Sequence, residues 1–261
     1  MMTTLLTFHI KDALRSRWLF AHFALYLIIT EGLLLASGTG DKTLLSLINV
    51  VLLLVPLVGL VFGTIHQYNS REFTELLLTQ PVRRSVLFGS LLAGVALPLM
   101  ATFALGVFLP FVWHGGVTQD QGLRLALLLG LGSVLTITSV GAAFMVSTGQ
   151  TDRVRGIGTA LGLWLVYAVL FDGAVLLAVT TLGHWPIEKA LLGIMLANPV
   201  DLSRLILLQV FDAAAMMGYT GALFTRFFTS ASGFIMAGTA LLVWMLLPLW
   251  SARRRFLSQD F

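Results

Sequence analysis

The histidine and serine residues of this chain form none of the common catalytic patterns. The five histidines are scattered through 261 residues, without the H-E-x-x-H spacing that places two zinc ligands on one helix face. No G-x-S-x-G nucleophile elbow occurs, and the absence of cysteine excludes thiolate chemistry and disulfides. The residue types therefore do not support catalysis by this chain, so an intramembrane enzyme is a poor interpretation.

Soft metal binding is a chemistry that the residue types alone would allow. Met195, Met216 and Met217, together with His184, supply thioether and imidazole groups of the kind that bind Cu(I). Their spacing defines no site, and methionine commonly fills apolar contacts. We therefore expect no metal on this chain.

A glycine-containing turn at 38–42 superficially resembles a phosphate-binding loop. That loop needs a glycine directly before its lysine, so that backbone N–H groups can surround a phosphate. Here Asp41 precedes Lys42. No nucleotide site is predicted, and we expect the chain itself to bind no cofactor.

The composition is that of an integral membrane protein. Hydrophobic residues make up 57% and charged residues 11%, with a mean hydropathy of +0.93, whereas soluble domains have about 25% charged residues. A spanning helix needs about 20 mostly apolar residues. Six such windows lie near 18–37, 43–65, 86–112, 123–146, 157–182 and 231–250. The sequence predicts an all-α membrane fold in which 1–261 form a single domain.

The distribution of lysine and arginine predicts the orientation. With six spans, eleven of the sixteen lie on the side shared by both termini and five on the other, so both termini are predicted to be cytoplasmic. Basic residues dispersed over membrane flanks form no phosphate-tracking surface, so no nucleic acid partner is expected. Residues 1–17 combine apolar and charged residues at helical spacing and predict an interfacial helix. The apolar run that follows is about 20 residues long, which favours an uncleaved span over a signal peptide.

Two carboxylates fall inside predicted spans. Glu31 lies near the outer end of the first and Asp172 deeper in the fifth. A charge in the bilayer centre costs at least ~2.5 to 3.5 kcal/mol, so each is expected to face protein or water. Asp172 is consistent with a buried structural hydrogen bond or with a role in a pathway or interface.

The stretch 68–85 is a charged, helix-forming interruption between two long apolar segments. Asn69 and Glu72 predict a capping box at its start. Pro81 predicts its end, because proline cannot continue the hydrogen-bond ladder. The product is a short amphipathic helix on the cytoplasmic side, which is either a docking element for a soluble partner or a polar connection.

The long connection at 183–230 predicts two or three helices at the outer face. One begins at Asn198, a capping residue, with Pro199 at its first position and Asp201 in its first turn. Arg204, three residues after Asp201, is placed to pair with it. A plain helix start is favoured here over a contact site for a partner.

The segment REFTELLLTQPVRRSVLFGS resembles the region after the second span in ABC-2 type transporter permeases. The resemblance covers the whole chain, and the motif E-x-x-E-L-L-L-x-x-P-x-x-R is carried by Glu72, Glu75, Leu76, Leu77, Leu78, Pro81 and Arg84. Members of the family commonly have glycine where this chain has Phe73. Within the family, the stretches 171–173 and 198–205 are similar to the membrane subunit of the nitrous oxide reductase maturation transporter, the NosY type.

The resemblance implies a permease subunit that couples ATP hydrolysis by a separate ATPase to transport, or to mechanical action on a periplasmic partner, in copper-site maturation. It implies two copies of a cytoplasmic ABC ATPase carrying ATP and Mg, a second copy of this chain, and the bacterial inner membrane. The implied ATPase-coupling residues are Arg71, Glu72, Phe73, Glu75, Leu76, Leu77, Leu78, Pro81 and Arg84. The second cytoplasmic contact comprises Gln150, Asp152, Arg153 and Arg155, and the contact for a periplasmic accessory protein comprises Asn198, Pro199, Asp201 and Arg204.

Two other classes remain open. An ATP-independent carrier would need several paired intramembrane charges, or broken helices at matching places in its two halves. Glu31 and Asp172 support this class only weakly. A membrane scaffold that anchors outer proteins is the other alternative. A stoichiometric ATPase in the purified assembly would favour the permease over both.

Overall fold

The structure is a computed structural model that describes residues 7, 11, 15–38, 40–115, 118–182, 193–211 and 231–258. Throughout this part of the chain the regular structure is helical, without strands. The main elements are α1 (Arg17–Ser37), α2 (Asp41–Asn69), α3 (Arg71–Leu78), α4 (Arg84–Trp113), α5 (Gln119–Gly149), α6 (Arg153–Leu165), a π-helical turn (Val166–Leu170), α7 (Phe171–Leu182), α8 (Pro199–Val210) and α9 (Ala231–Ser258).

Within the described residues, six helical stretches are long and apolar enough to cross a membrane, which confirms the predicted all-α membrane fold. They are α1, α2, α4, α5, the stretch Arg153–Ala178 and the stretch Ile235–Ser258. The observed helices extend beyond several predicted windows because polar residues complete their ends. Thr118, for example, forms a reciprocal capping box with Gln121 at the start of α5. We call the side that carries α3 inner and the opposite side outer, following the predicted orientation.

The centre of the bundle is built from α2, α4 and α5, in which 50 to 56% of the apolar stretch is buried within the chain. Small residues bring α2 and α5 together. A Cβ atom added to Gly59 would lie 2.7 Å from Ser139 Cβ, and one added to Gly63 would lie 2.8 Å from Ala143 Cβ. Backbones this close allow extensive van der Waals contact, which drives helix association in lipid.

The first helix packs mainly on α4. A Cβ atom on Gly106 would lie 2.9 Å from both Phe23 O and Tyr26 Cβ, and the Tyr26 and Phe103 rings meet edge to face at 5.1 Å. Towards the outer side, α1 is tied to α2 through their hairpin, where the Thr43 hydroxyl donates to Gly38 O at 2.5 Å. On the inner side, α1 and α2 are the two walls of an open groove.

The fifth span is the most peripheral. Only 11% of its apolar stretch is buried within the chain, against 22% for the sixth span and 28% for the first. Its exposed side chains include Leu165, Val169 and Leu176. Such a face meets lipid or another protein.

Part of the predicted peripheral structure lies outside the described residues. Most residues of the predicted interfacial helix of 1–17 are among those not described, so this helix stays a prediction. Of the predicted outer helices, the structure describes α8 and a short turn before it. The side chains of α8 are largely buried against α2, α5 and α9.

Candidate functional site

The short inner helix α3 exists as predicted, but its start differs from the prediction. Asn69 is the last residue of α2 and does not cap α3, so the capping box with Glu72 is wrong. Ser70 separates the two helices, and its carbonyl accepts both the Thr74 N–H at 2.9 Å and the Thr74 hydroxyl at 2.7 Å. The backbone runs almost directly from α2 into α3, so a side-chain cap has no role. The helix ends at Leu78, before Pro81, as predicted.

The two faces of α3 have different partners. Leu77 is buried, and Phe73 and Leu78 pack beside it against the inner ends of α4, α5 and α9. Glu72, Glu75 and Leu76 face away from the bundle and are exposed, with 60% of Leu76 exposed. The helix therefore presents two carboxylates and an apolar side chain to the inner solution. Phe73 lies in regular helix.

The remaining predicted coupling residues have distinct positions. Arg71 pairs with Glu75 along the surface of α3, Nε to Oε1 at 3.3 Å. Pro81 is exposed in the turn after the helix. Arg84 Nη1 donates to Leu257 O in α9 at 3.1 Å. Arg84 therefore links the start of α4 to the end of α9 on the inner side.

The predicted second inner contact forms the start of α6. Asp152 caps this helix by accepting from Val154 N at 2.8 Å and Arg155 N at 3.3 Å. Gln150 Nε2 donates to Thr159 Oγ1 at 2.9 Å. Arg153 and Arg155 are exposed. This stretch borders an open cleft of about 720 Å³ that is lined by 149–152, Arg155, Gly158 and Thr159.

Tyr68 connects these two inner elements and was not among the predicted site residues. Its hydroxyl is placed to donate to Gln150 O at 3.1 Å and to Asp152 O at 3.3 Å, immediately before α3 begins. Gly156 makes this approach possible, because an added Cβ there would collide with the Tyr68 ring. A tyrosine at the inner end of an apolar helix is ordinary in sequence, so the pattern alone held no signal for this contact.

The outer helix α8 begins as predicted. Asn198 Oδ1 accepts from Val200 N at 3.0 Å, with Pro199 at the first position. Arg204 Nη1 bonds Asp201 Oδ1 at 3.1 Å, which confirms the predicted pair. Asp201 is only 1% exposed. It is a buried carboxylate, whereas the sequence suggested a surface one.

The structure also brings Asp172 of α7 to the same arginine. Arg204 Nη1 lies 2.7 and 3.0 Å from the two Asp172 oxygens. One guanidinium therefore serves two carboxylates from different elements. Burial, and then the Asp172 charge, raise the pKa of Asp201 to about 7, while Arg204 opposes this shift.

Asp172 lies within the fifth candidate span, towards the outer end of the bundle. Asp172 lines a cavity of about 760 Å³ together with Lys42 and Ser46 at the outer end of α2. The rise from Arg153 to Asp172 is about 28 Å, close to the ~30 Å thickness of the hydrocarbon core. Asp172 therefore lies near the outer interface, where its partial exposure and its pairing with Arg204 make its charge tolerable.

A π-helical turn just before Asp172 adds another link between the fifth span and α8. Asn198 Nδ2 donates to Tyr167 O in this turn at 2.8 Å. The Tyr167 ring meets Trp244 of α9 edge to face at 5.6 Å, and Trp244 Nε1 donates to Leu196 O at 2.9 Å. The N-terminal end of α8 is thus bonded to span five and connected to span six.

The other intramembrane acid has partners at the outer end of α4. Trp113 Nε1 donates to Glu31 Oε2 at 2.9 Å, and His114 Nε2 lies 3.4 Å from Glu31 Oε1. Glu31 therefore holds α1 against α4 near the outer interface. This arrangement supports a structural role for it.

Metal-binding groups do not converge in the described part of the chain, where no three His, Asp or Glu side chains come together as a metal site. Met195 is buried against α8 and α9. Met216, Met217 and His184 lie outside the described residues. The expectation that the chain holds no metal therefore stays a prediction.

Six apolar helices with short polar elements at both membrane faces define an all-α, multi-pass membrane protein. No protein-family model matches the chain. It is 31% identical to the probable ABC transporter permease protein NosY of Pseudomonas aeruginosa, over 93% of this chain and 90% of that protein. It is 28% identical to the probable ABC transporter permease protein NosY of Stutzerimonas stutzeri, over 78% and 80% of the two chains.

The chain therefore belongs to the NosY family of ABC transporter permeases. It is a permease subunit, and a permease of this class implies a separate ATPase partner.

Proposed function

We propose that this subunit transmits work from two copies of a cytoplasmic ATPase, which bind ATP and Mg, to the outer face of the membrane. Its partner surface is α3 together with the start of α6. The observation that carries the proposal is the Tyr68 hydroxyl, which joins the α2–α3 junction to Gln150 and Asp152. A partner that moves either inner element would thereby move both.

The fifth span offers a route from this surface to the outer side. Its inner end is the capped start of α6 at Asp152. Near its outer end, the Tyr167 carbonyl and the Asp172 carboxylate bind Asn198 and Arg204 of α8. A helix anchored at both ends and only lightly packed along its length is suited to tilt as a unit. Its movement would reposition α8, which we propose as the contact for a periplasmic accessory protein.

A second copy of this chain would complete the transporter. The exposed apolar face of the fifth span supports such a pairing, because 89% of its apolar stretch is not buried within one copy. Two copies would provide two inner surfaces for two ATPases. The closed assembly would place a path or a groove between the copies.

We further propose that the coupled work serves the copper-site maturation of nitrous oxide reductase in a bacterial inner membrane. Membership of the NosY family supports this role. The bonds that join α8 to spans five and six favour mechanical action on a periplasmic partner over passage of a cargo.

The test is Glu75→Lys in the assembled transporter. Glu75 is exposed, and the substitution replaces its pair with Arg71 by two like charges four residues apart on α3, which together cost about 0.5 to 1 kcal/mol. Helix α3 should stay folded while the charge at position 75 on its exposed face is reversed. We expect the amount of ATPase that copurifies to fall roughly tenfold, which corresponds to about 1.4 kcal/mol of association free energy.

Asp120→Lys is the matched control, since Asp120 is also an exposed helical acid but lies at the outer end of α5. It should retain normal ATPase association. In cells, nitrous oxide reductase should be copper-poor with the α3 variant and copper-replete with the control, as measured by metal content and visible absorption. Full ATPase association and activity in a stably folded Glu75→Lys protein would contradict the proposed coupling surface. Purification of the wild-type chain without any ATPase would favour the carrier or scaffold.

A further inference from the structure

An open groove of about 840 Å³ runs along the inner half of the bundle between α1 and α2. Its apolar walls include Trp18 and Leu25 on α1 and Val61 and Phe62 on α2, and Leu161 of α6 also lines it. The groove exists because α1 follows α4 closely and is tied to α2 at the outer hairpin. Towards the inner side the two helices leave this space between them.

The length of the groove matches one leaflet of the bilayer. From Ser16 to Leu25 the helix rises about 14 Å, and the hydrocarbon part of one leaflet is about 15 Å thick. On the facing wall, the lining runs from Ser70 down to Leu57, a rise of about 20 Å. The groove therefore extends from the inner interface to about the middle of the membrane.

The two ends of the groove differ in polarity. Arg15, Ser16, Asn69 and Ser70 lie at the interfacial end, and among the described residues the lining includes no carboxylate. The deep end, around Leu25 and Leu57, is apolar apart from His22, whose ring is hydrogen-bonded to Thr102 of α4. A ligand that fits both ends has a negatively charged head and a hydrocarbon tail.

The walls of the groove are mostly apolar side chains of different sizes. Hydrocarbon chains are thinner than a helix and adapt to irregular apolar walls.

We propose that this groove binds an anionic phospholipid of the inner leaflet, with its head at Arg15 and an acyl chain between α1 and α2. Basic pockets between spanning helices on the cytoplasmic side are known to take such headgroups. The bound lipid fills the wedge between α1 and the helix that leads directly into α3. The inference is independent of the cargo and of the proposed partner at the outer face.

The experiment measures lipid retention by the detergent-purified transporter in native mass spectrometry. Palmitoyl-oleoyl phosphatidylglycerol is compared with the phosphatidylcholine that has the same chains. We expect the wild type to retain phosphatidylglycerol severalfold better. Arg15→Gln should reduce this preference at least threefold, while Arg17→Gln, the adjacent arginine that does not line the groove, should leave it unchanged.

A second measurement uses the absence of cysteine from the chain. Val61→Cys places a single thiol in the groove, and Ile28→Cys places one on the exposed face of α1, outside the groove lining. Phosphatidylglycerol should slow maleimide labelling at position 61 and leave labelling at position 28 unchanged. Equal effects of the two arginine variants, or lipid-independent labelling at position 61, would overturn the proposal. So would disulfide formation between two Val61→Cys copies, because a second copy would then occupy the groove.

Discussion

Replacement of Arg204 by methionine tests the outer ionic cluster most directly. The guanidinium bonds Asp172 at 2.7 Å and Asp201 at 3.1 Å. Methionine keeps an apolar stem but removes the charge. Asp172 can be screened by solvent because about half of its side chain is exposed, whereas Asp201 is buried.

The expected loss of stability depends on pH, and its sign follows from the raised pKa of Asp201, about 7 against an unfolded value near 3.9. The folded state holds this proton more tightly than the unfolded state, so stability falls as pH rises from about 4 to about 7 and then levels off. Without Arg204 the folded pKa rises further, and the fall continues above pH 7.

The magnitude can be worked from these terms. At pH 5.5, Asp201 is protonated in both proteins, and the variant loses mainly the half-exposed pair with Asp172, worth about 1 kcal/mol. At pH 8.5, the folded variant still holds the Asp201 proton that the folded wild type releases near pH 7. The interval of about 1.5 pH units lowers the stability of the variant by about a further 2 kcal/mol. We expect Arg204→Met to cost about 1 kcal/mol at pH 5.5 and about 3 kcal/mol at pH 8.5.

Thermal unfolding of the purified protein in detergent, followed by tryptophan fluorescence at both pH values, measures this difference. The double variant Arg204→Met/Asp201→Asn should recover most of the loss at pH 8.5, since it removes the buried carboxylate that has lost its cation. Equal losses at the two pH values, or a double variant no more stable than the single one, would refute the reasoning.

Three further predictions concern individual contacts. Gly156→Ala should lower the melting temperature and the coupling of ATPase to transport, because its methyl group would displace the Tyr68 ring. Gly158→Ala, where the added atom meets open space, should leave coupling unchanged and slightly raise the melting temperature, since alanine favours the helix. Tyr68→Phe should cost about 1 kcal/mol of stability but reduce ATPase coupling severalfold. Unchanged coupling would mean that α3 and the start of α6 act independently. Asn198→Ala should cost about 1 to 2 kcal/mol in thermal unfolding, because it removes both the helix cap and the bond to Tyr167 O.

On the inner face, the existence and the end of α3 were predictable, because a polar interruption and a proline are local signals. Its start was not, since Asn69 and Ser70 are both acceptable capping residues in sequence and the continuity of α2 decided between them. The role of Tyr68 was hidden for another reason. Its partner carbonyl at Gln150 is 82 residues away, and a tyrosine hydroxyl has no preferred spacing to a distant backbone oxygen.

On the outer face, the cap by Asn198 and the pair of Asp201 with Arg204 were predicted correctly, since three or four residues of helix bring these groups together. The third member, Asp172, was placed inside the fifth span, because apolar windows locate a span without locating its interface. Only the packing of α8 against the outer ends of the spans shows that Arg204 reaches it.

The sequence by itself determined the number of spans, the side on which basic residues concentrate, and the start of the outer helix α8 at Asn198. These properties depend on hydropathy, charge and capping, which act over at most a few helical turns. Tertiary structure decided which polar groups meet, where a groove opens beside α1, and which carboxylate is buried. Such meetings are set by how closely helices pack at small residues and how they diverge elsewhere, and that geometry is a property of the whole bundle.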